Sequence, residues 1–136
     1  MEPLLADTSV WIDFFGGKKT WQCKILLNYI ELNEPVVLCP LIIQEILQGI
    51  RDNDSYQKIK ESLLSYDILS IDPVESALGA AELYRMLRKK GTTIRKSNDC
   101  LIAYYAIYYN IKLLHKDVDF EKIAANSSLK TVRLQS

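Results

Sequence analysis

Four acidic residues occupy positions where strands and helices in alternation could bring their carboxylates together. Asp7 follows a short apolar run near the N-terminus, and Asp117 follows another such run near the C-terminus. Asp99 precedes a strongly apolar segment, and Glu45 lies within a helical pattern. If these carboxylates converge, their repulsion raises their pKa values and favours binding of a divalent cation. The residue types therefore predict a Mg²⁺ or Mn²⁺ site formed by Asp7, Glu45, Asp99 and Asp117.

A metal site of this kind is suited to the hydrolysis of phosphodiester bonds. Mg²⁺ takes oxygen ligands, binds one or two carboxylates, and keeps its remaining positions for waters and phosphate oxygens. A bound divalent ion lowers the pKa of water and stabilises negative charge on the leaving oxygen. Such chemistry needs no histidine or serine nucleophile. We therefore assign no catalytic role to His115, the one histidine of the chain.

Taken singly, each of these acids also has a purely structural explanation. An aspartate at the start of a helix commonly caps it, and Asp99, which follows Ser97 and Asn98, could do so. Asp119 stands near the start of the last helical pattern, so we assign it the cap and keep it as a reserve ligand, while Asp117 is the preferred ligand. Glu45 alone would be a solvated helix residue. The metal-site interpretation depends on the four acids acting together.

The elements that must position these acids follow from the apolar pattern. Short apolar runs alternate with longer segments of helical period, which is typical of a parallel sheet covered by helices. We predict a three-layer α/β/α sandwich with a central, mostly parallel sheet of about five strands, in a single domain spanning residues 1–136. The predicted strands cover residues 4–6, 36–39, 68–71, 112–114 and 131–134.

Several helix boundaries can be located from local signals. Pro40 can occupy the first turn of a helix whose apolar stripe leaves Glu45 just to one side. Asp72 has proline after it and Glu75 three positions on, which predicts a capped helix start. Gly91, preceded by two lysines, is a typical helix end. Residues 101–109 are almost all apolar or aromatic, which predicts a helix buried on most of its circumference.

Overall composition places the chain among ordinary globular proteins. Apolar residues make up 49% and charged residues 25% of its 136 residues, and 17 Lys and Arg balance 17 Asp and Glu. Any binding of nucleic acid must therefore come from local basic patches. The start of the chain has no basic targeting region and no run approaches the length of a membrane span, so we expect a cytoplasmic protein. The three cysteines are predicted to be buried thiols: Cys23, Cys39 and Cys100.

Four segments, in this order, carry a resemblance to a known family. They are LLADTSVWID, LIIQEILQG, SNDCLIAYYA and LLHKDVDFEKIA. Together they resemble the PIN domain, and in particular the VapC-type toxins of type II toxin–antitoxin pairs, over essentially the whole chain. The resemblance maps the acidic quartet of the family onto Asp7, Glu45, Asp99 and Asp117. It maps the family's small hydroxyl residue onto Ser9, while many relatives carry Thr or Ser in place of His115.

The resemblance implies a function as well as a fold. It implies a Mg²⁺- or Mn²⁺-dependent endoribonuclease that cleaves structured RNA, commonly transfer RNA, and is inhibited by a cognate VapB-like antitoxin. It also implies a homodimer. Residues expected to contact the RNA are Ser9, Arg95, Lys96 and Lys116, because basic groups beside a metal hold phosphates.

The aromatic residues of the first segment and its continuation have two interpretations that the sequence leaves open. They could form a surface for a partner protein, or they could belong to the core. These residues are Trp11, Phe14, Phe15 and Trp21.

Three other classes of protein share parts of this pattern. A phosphatase with a nucleophilic aspartate needs a second acid two residues after the first, where this chain has Ser9. A phosphorylatable receiver domain has adjacent acids after its first strand, where this chain has Asp7 alone. A non-catalytic PIN-like module that binds RNA or protein is the main alternative. Loss of a quartet acid would favour that module, and all four are present.

Overall fold

The sheet of this protein is built from four parallel strands. A computed structural model describes residues 1–134. The strands are β1 (Leu4–Ala6), β2 (Val36–Leu38), β3 (Asp67–Ile68) and β4 (Lys112–Leu114), and their order across the sheet is β3-β2-β1-β4. Strand β1 pairs on both sides, because Leu5 aligns with Val37 of β2 and with Leu113 of β4. The predicted parallel sheet is confirmed.

Helices cover this sheet and give the α/β/α architecture that the sequence predicts. The helices are α1 (Thr8–Phe15), α2 (Trp21–Glu31), α3 (Pro40–Gln48), α4 (Asn53–Leu63), α5 (Pro73–Lys89), α6 (Asn98–Tyr109) and α7 (Val118–Ala125). Helices α1 to α4 contact one another in sequence, and α5 to α7 contact one another through α6. No helix within residues 1–134 is long and apolar enough to cross a membrane.

The core lies around the short strands. Every residue of β1 is buried, as is every residue of β2, so their side chains are covered on both faces, as parallel strands require. Trp11 is completely buried and its ring stacks on Phe15 at 5.6 Å. Phe14, Phe15 and Trp21 are partly buried and pack against the same hydrophobic cluster. The core interpretation is therefore correct for Trp11, while the other three lie at the margin of the core and keep part of their surface exposed.

Two of the predicted strands differ from the observed ones. The segment 131–134 contributes a single parallel bridge between Thr131 and Leu113, so the sheet has four strands rather than about five. Strand β3 ends at Ile68, although the apolar run continues to residue 71. The run continues because Ile71 is buried ahead of helix α5. In this segment the paired residues Asp67 and Ile68 are exposed and the buried residue lies after the strand, so the apolar pattern did not mark the backbone pairing.

The helix boundaries follow the predicted signals at most positions. The Asp72 carboxylate accepts a hydrogen bond from the Glu75 backbone N–H at 3.0 Å, and Gly91 follows the end of α5 with a φ of +80°. Helix α3 begins at Pro40 and leaves Glu45 half-buried. Helix α6 begins at Asn98, ahead of the apolar residues 101–109, and Asp99 lies in its first turn.

Candidate active site

Asp7 lies where β1 ends and α1 begins. Its backbone N–H donates to the Leu114 carbonyl oxygen at 2.9 Å, which ties the residue to strand β4. The Ser9 hydroxyl donates to Asp7 Oδ2 at 2.8 Å. Burial raises the pKa of the Asp7 carboxyl, the Ser9 hydrogen bond opposes that rise, and the nearby Glu45 charge adds to it. Asp7 is therefore a rigidly held carboxyl group at the carboxyl edge of the sheet.

Glu45 is oriented by a residue that our sequence analysis did not select. The Thr8 hydroxyl donates to Glu45 Oε1 at 2.7 Å, so the first residue of α1 holds a side chain of α3. Helices α1 and α3 are in contact, which brings these two residues together although they are 37 positions apart. The ordinary threonine after Asp7 gives no local sign of this contact.

Asp99 is buried in the first turn of α6. Asp99 is 7% exposed, and its Oδ2 atom accepts no hydrogen bond from the described part of the chain. Burial and the charges of Asp7 and Asp117 raise the pKa of Asp99 to about 7. The cap position of α6 is Ser97. Asp99 is thus not the cap of its helix, and its buried carboxyl lacks the partners that a structural role would provide.

The last acidic pair requires a correction. We expected Asp119 to cap α7, but the cap is Asp117, whose carboxylate accepts a hydrogen bond from the Asp119 backbone N–H at 3.0 Å. Asp119 is completely buried, and its Oδ1 atom accepts no hydrogen bond from the described residues, although Lys122 Nζ lies 3.7 Å away. Asp119 therefore lies close enough to Asp117 to contribute an oxygen to the same cation, and it stays the reserve ligand.

Arg95 bridges these two aspartates. Its Nε donates to Asp119 Oδ2 at 3.2 Å, and its Nη2 donates to Asp117 Oδ1 at 3.4 Å. Burial opposes ionisation of Asp119, but the hydrogen bonds from the Arg95 backbone and guanidinium hold its pKa below the usual value. The guanidinium is mostly exposed, so it lies over the acids from the solvent side.

The predicted site residues line one cleft. Its volume is about 510 Å³. The lining residues are Asp7, Thr8, Ser9, Ile12, Glu45, Arg95, Lys96, Asp99, Lys116, Asp117 and Val118. The structure thus brings together all four acids of the quartet and all four residues expected to contact RNA. Asp119 lies beneath this surface.

Lys116 has a partner that the sequence analysis missed. Its Nζ donates to Asp13 Oδ2 at 2.6 Å, and Lys18 Nζ lies 3.3 Å from Asp13 Oδ1. Asp13 is buried, and the hydrogen bond from Lys116 lowers the pKa of this carboxyl. Lys116 therefore reaches the cleft with its ammonium group held by α1. No pattern in the sequence around Asp13 predicts this ion pair, because its partner Lys116 is 103 positions away.

The acidic cluster has the chemistry of a cation site. Carboxylate oxygens of Asp99, Asp117 and Asp119 lie within 4.8 Å of one another. Two buried oxygens, one each of Asp99 and Asp119, accept no hydrogen bond within the described chain. Buried polar atoms without partners are costly, and hard divalent ions prefer oxygen ligands. The donor set therefore fits Mg²⁺ or Mn²⁺.

Comparison with known families identifies the class of protein. The family model of the PIN domain matches residues 4–126, and the chain belongs to this family. It is 32% identical over 130 residues to Ribonuclease VapC11 of Mycobacterium tuberculosis, an alignment that covers 93% of this chain and 96% of that protein. The resemblance stated from the four segments is thereby confirmed.

Solved structures share the fold. This chain aligns with a chain of the VapBC2 structure from Rickettsia felis, which was solved with a DNA fragment from the VapBC2 promoter. The TM-score is 0.73 and the identity is 19%, over 96% of this chain and 97% of that chain. VapBC-1 from nontypeable Haemophilus influenzae aligns with a TM-score of 0.72 and 20% identity over 96% of each chain. At these identities the similarity concerns the fold.

Proposed function

We propose that this protein is a metal-dependent endoribonuclease that acts as the toxin of a VapBC-type pair. The observation that carries the proposal is the convergence of Asp7, Glu45, Asp99 and Asp117 in one cleft. Basic residues stand in the same cleft, where an RNA phosphate would lie. Similarity to proteins named VapC ribonucleases supports the class of reaction.

The acids have distinct tasks in this proposal. Asp7, Glu45, Asp99 and Asp117 would hold the Mg²⁺ or Mn²⁺ ion, with Asp119 beneath them as the reserve ligand; the oxygens of Asp99, Asp117 and Asp119 already lie within 4.8 Å of one another. Ser9 fixes the carboxylate of Asp7, and Thr8 fixes that of Glu45, through the hydrogen bonds described above. These hydroxyl groups reduce the freedom of the two carboxylates before substrate arrives. Such preorganisation lowers the cost of reaching the transition state.

The metal and the basic residues complete the chemistry. When bound, the divalent ion would lower the pKa of a water molecule and stabilise charge on the scissile phosphate. Arg95 can turn from the aspartates to a phosphate because its side chain is 67% exposed. Lys96 lines the same cleft and adds positive charge. Lys116, held by Asp13, supplies a third cation at a defined position.

Cleavage of RNA by the purified protein tests this proposal. We expect total transfer RNA to be cut at specific sites with Mg²⁺ or Mn²⁺, and EDTA to stop the reaction. Asp99→Asn should abolish cleavage because it removes a ligand charge. The matched control is Asp54→Asn, at an exposed position of α4, which should cut at the wild-type rate. Undiminished cleavage in EDTA, or a fully active Asp99→Asn protein, contradicts the proposal.

The biological part of the proposal concerns partners. Expression of the chain should arrest growth, and co-expression of a VapB-like antitoxin encoded beside it should restore growth. The proposal includes a homodimer acting in the cytoplasm, which light scattering of the purified protein and cell fractionation can test. Normal growth on expression of a protein that is active in vitro would contradict the role as a toxin.

A further inference from the structure

A second cavity adjoins the acidic cleft. It has a volume of about 480 Å³, and it shares Lys116, Asp117 and Val118 with the cleft. Val118 is 58% exposed and belongs to the lining of both. An RNA strand with one phosphate at the acidic cluster could therefore continue over Val118 into the second cavity. The proposed catalytic mechanism assigns no role to this cavity.

The polar groups around the second cavity are linked to one another. Gln22 is buried, and its Nε2 donates to the His115 carbonyl oxygen at 3.3 Å. The His115 Nδ1 atom accepts the Asp117 backbone N–H at 3.1 Å, so Nε2 carries the proton and donates to Glu121 Oε1 at 2.7 Å. Arg133 Nη2 donates to Glu121 Oε2 at 3.4 Å. The cavity wall is thus preorganised and connected to the backbone of Asp117.

The chemistry of this wall matches a nucleobase. Trp21 is half-buried and supplies aromatic surface for stacking. The side-chain amide of Gln22 has a carbonyl oxygen to accept a hydrogen bond, and Arg133 has further N–H groups to donate. The Arg133 side chain is 76% exposed and, like Lys116, can attract a backbone phosphate. An aromatic surface beside fixed donors and acceptors, with cations at the rim, is how proteins bind unpaired bases.

We propose that this cavity, here called the Trp21 subsite, binds one unpaired RNA nucleotide adjacent to the scissile phosphate. The inference rests on the proposed ribonuclease function and adds a requirement on the substrate. A base in a duplex is stacked and paired, so it cannot enter the subsite without being pulled out of the helix. The enzyme would therefore cut loops or single strands rather than continuous duplex.

Binding of mononucleotides tests the Trp21 subsite without any cleavage step. Trp11 is completely buried, so a base stacking on Trp21 quenches the fluorescence of that one accessible tryptophan. We expect saturable quenching by at least one of the four nucleoside 5′-monophosphates and none by ribose 5-phosphate. Arg133→Ala should weaken the binding several-fold. The matched control Arg51→Ala, at an exposed position after α3, should bind as the wild type does. Equal quenching by ribose 5-phosphate, or no quenching by any nucleotide, would overturn the proposal.

Steady-state cleavage of single-stranded RNA gives a second readout. Loss of stacking on one base in Trp21→Ala should raise KM on the order of five- to a hundred-fold, with little change in kcat. Trp21→Phe should restore KM, and Arg133→Ala, at an exposed position, should raise KM without affecting folding. If the wild type cuts RNA and the KM values of Trp21→Ala and Arg133→Ala equal that of the wild type, the proposed subsite is contradicted. If the wild type cuts no RNA while the nucleotides still bind, the ribonuclease proposal fails and the subsite stands.

Discussion

Burial gives two carboxyl groups of the cleft unusual acid–base behaviour. Asp7 and Asp99 both have raised pKa values, that of Asp99 to about 7, chiefly because each is buried. Each pKa unit by which a group differs between folded and unfolded chains corresponds to about 1.4 kcal/mol. Because the folded state holds these protons more tightly than the unfolded chain does, ionising the two groups without a metal destabilises the fold. A divalent cation bound in the cleft would offset this destabilisation.

The stability of the metal-free protein should fall as pH rises from about 4 to 7. In this range the unfolded chain has already released the Asp99 proton, while the folded chain still holds it, so each increase in pH favours unfolding. Three carboxyl groups with lowered pKa values, those of Asp13, Asp52 and Asp119, act in the opposite direction, but their effect is confined mainly to pH values near and below 4. Thermal unfolding in EDTA across this range measures the effect.

Two variants separate Asp99 from other causes of this pH dependence. Asp99→Asn should unfold at a higher temperature than the wild type at pH 7.5 and should show a smaller decrease between pH 4 and 7. Asp54→Asn, at an exposed position of α4, should follow the wild-type curve. A wild-type stability that rises steadily from pH 4 to 7 in EDTA would contradict the assignment of a raised pKa to Asp99.

The hydroxyl of Thr8 should matter for catalysis because it orients Glu45. Thr8→Val keeps the shape of the side chain but removes the hydrogen bond to Glu45 Oε1. A hydrogen bond to a charged group contributes about 1.5–3 kcal/mol, so we expect kcat to fall roughly ten-fold or more. Thr8→Ser retains the donor and should keep most of the activity. Equal activity of the Val and Ser variants would show that this contact is dispensable.

At the scale of elements, α5 and α6 approach each other closely at one glycine. A Cβ atom at Gly79 of α5 would overlap the ring of Tyr104 of α6. This pair of helices has the most extensive contact between any two elements within residues 1–134. Because α6 carries Asp99, the packing of α5 against α6 helps to hold the acid in its place. The glycine is explained by this close approach rather than by an unusual backbone angle.

Gly79→Ala should therefore destabilise the protein although alanine favours helices. The propensity gain of about 1 kcal/mol is offset by overpacking, which typically costs about 1–3 kcal/mol. Denaturant unfolding of Gly79→Ala, Tyr104→Ala and the double variant measures the coupling. In the Tyr104→Ala background the ring is absent, so Gly79→Ala should be neutral or stabilising. A destabilisation that persists there would mean that the ring is not the cause.

Local patterns were sufficient to predict many of the elements. The end of β1 just before Asp7 and the Asp72 cap each depend on residues within a few positions, and both were predicted. The cap of α7 was assigned to the wrong aspartate, although the capping hydrogen bond is local, and the contacts of both carboxylates with Arg95, 22 and 24 positions away, had no local signal. The pair of Asp13 and Lys116 spans 103 positions and has no local signal. Prediction from sequence thus failed where a contact joined distant segments and where two neighbouring aspartates competed for one cap position.

The molecule as a whole has no net charge, yet its charges are unevenly placed. Seventeen basic and seventeen acidic residues balance over the chain, while acids and bases are concentrated together in one cleft. The buried hydrophobic residues form one cluster that includes residues from Leu4 to Leu129. A core shared by both ends of the described chain favours cooperative folding of one unit, in agreement with the single domain we propose.

The protein should accordingly unfold in one transition. We expect urea unfolding curves from far-ultraviolet circular dichroism and from the fluorescence of the buried Trp11 to coincide, because secondary structure and core are lost together. The Trp21→Phe variant restricts the fluorescence signal to Trp11. Two separated transitions in this variant would show that the α1–α4 and α5–α7 groups fold independently.

The central position of β1 has a consequence for how long the cleft persists. This strand is paired on both sides, and the amide of Asp7 is bonded to Leu114 of β4, the outer strand of the sheet, which Leu113 joins to Thr131 by a single bridge. Hydrogen exchange at that amide requires β4 to separate from β1, and this opening exposes the completely buried side chains of Leu113 and Leu114. The Asp7 side of the cleft therefore persists for as long as β1 and β4 remain paired.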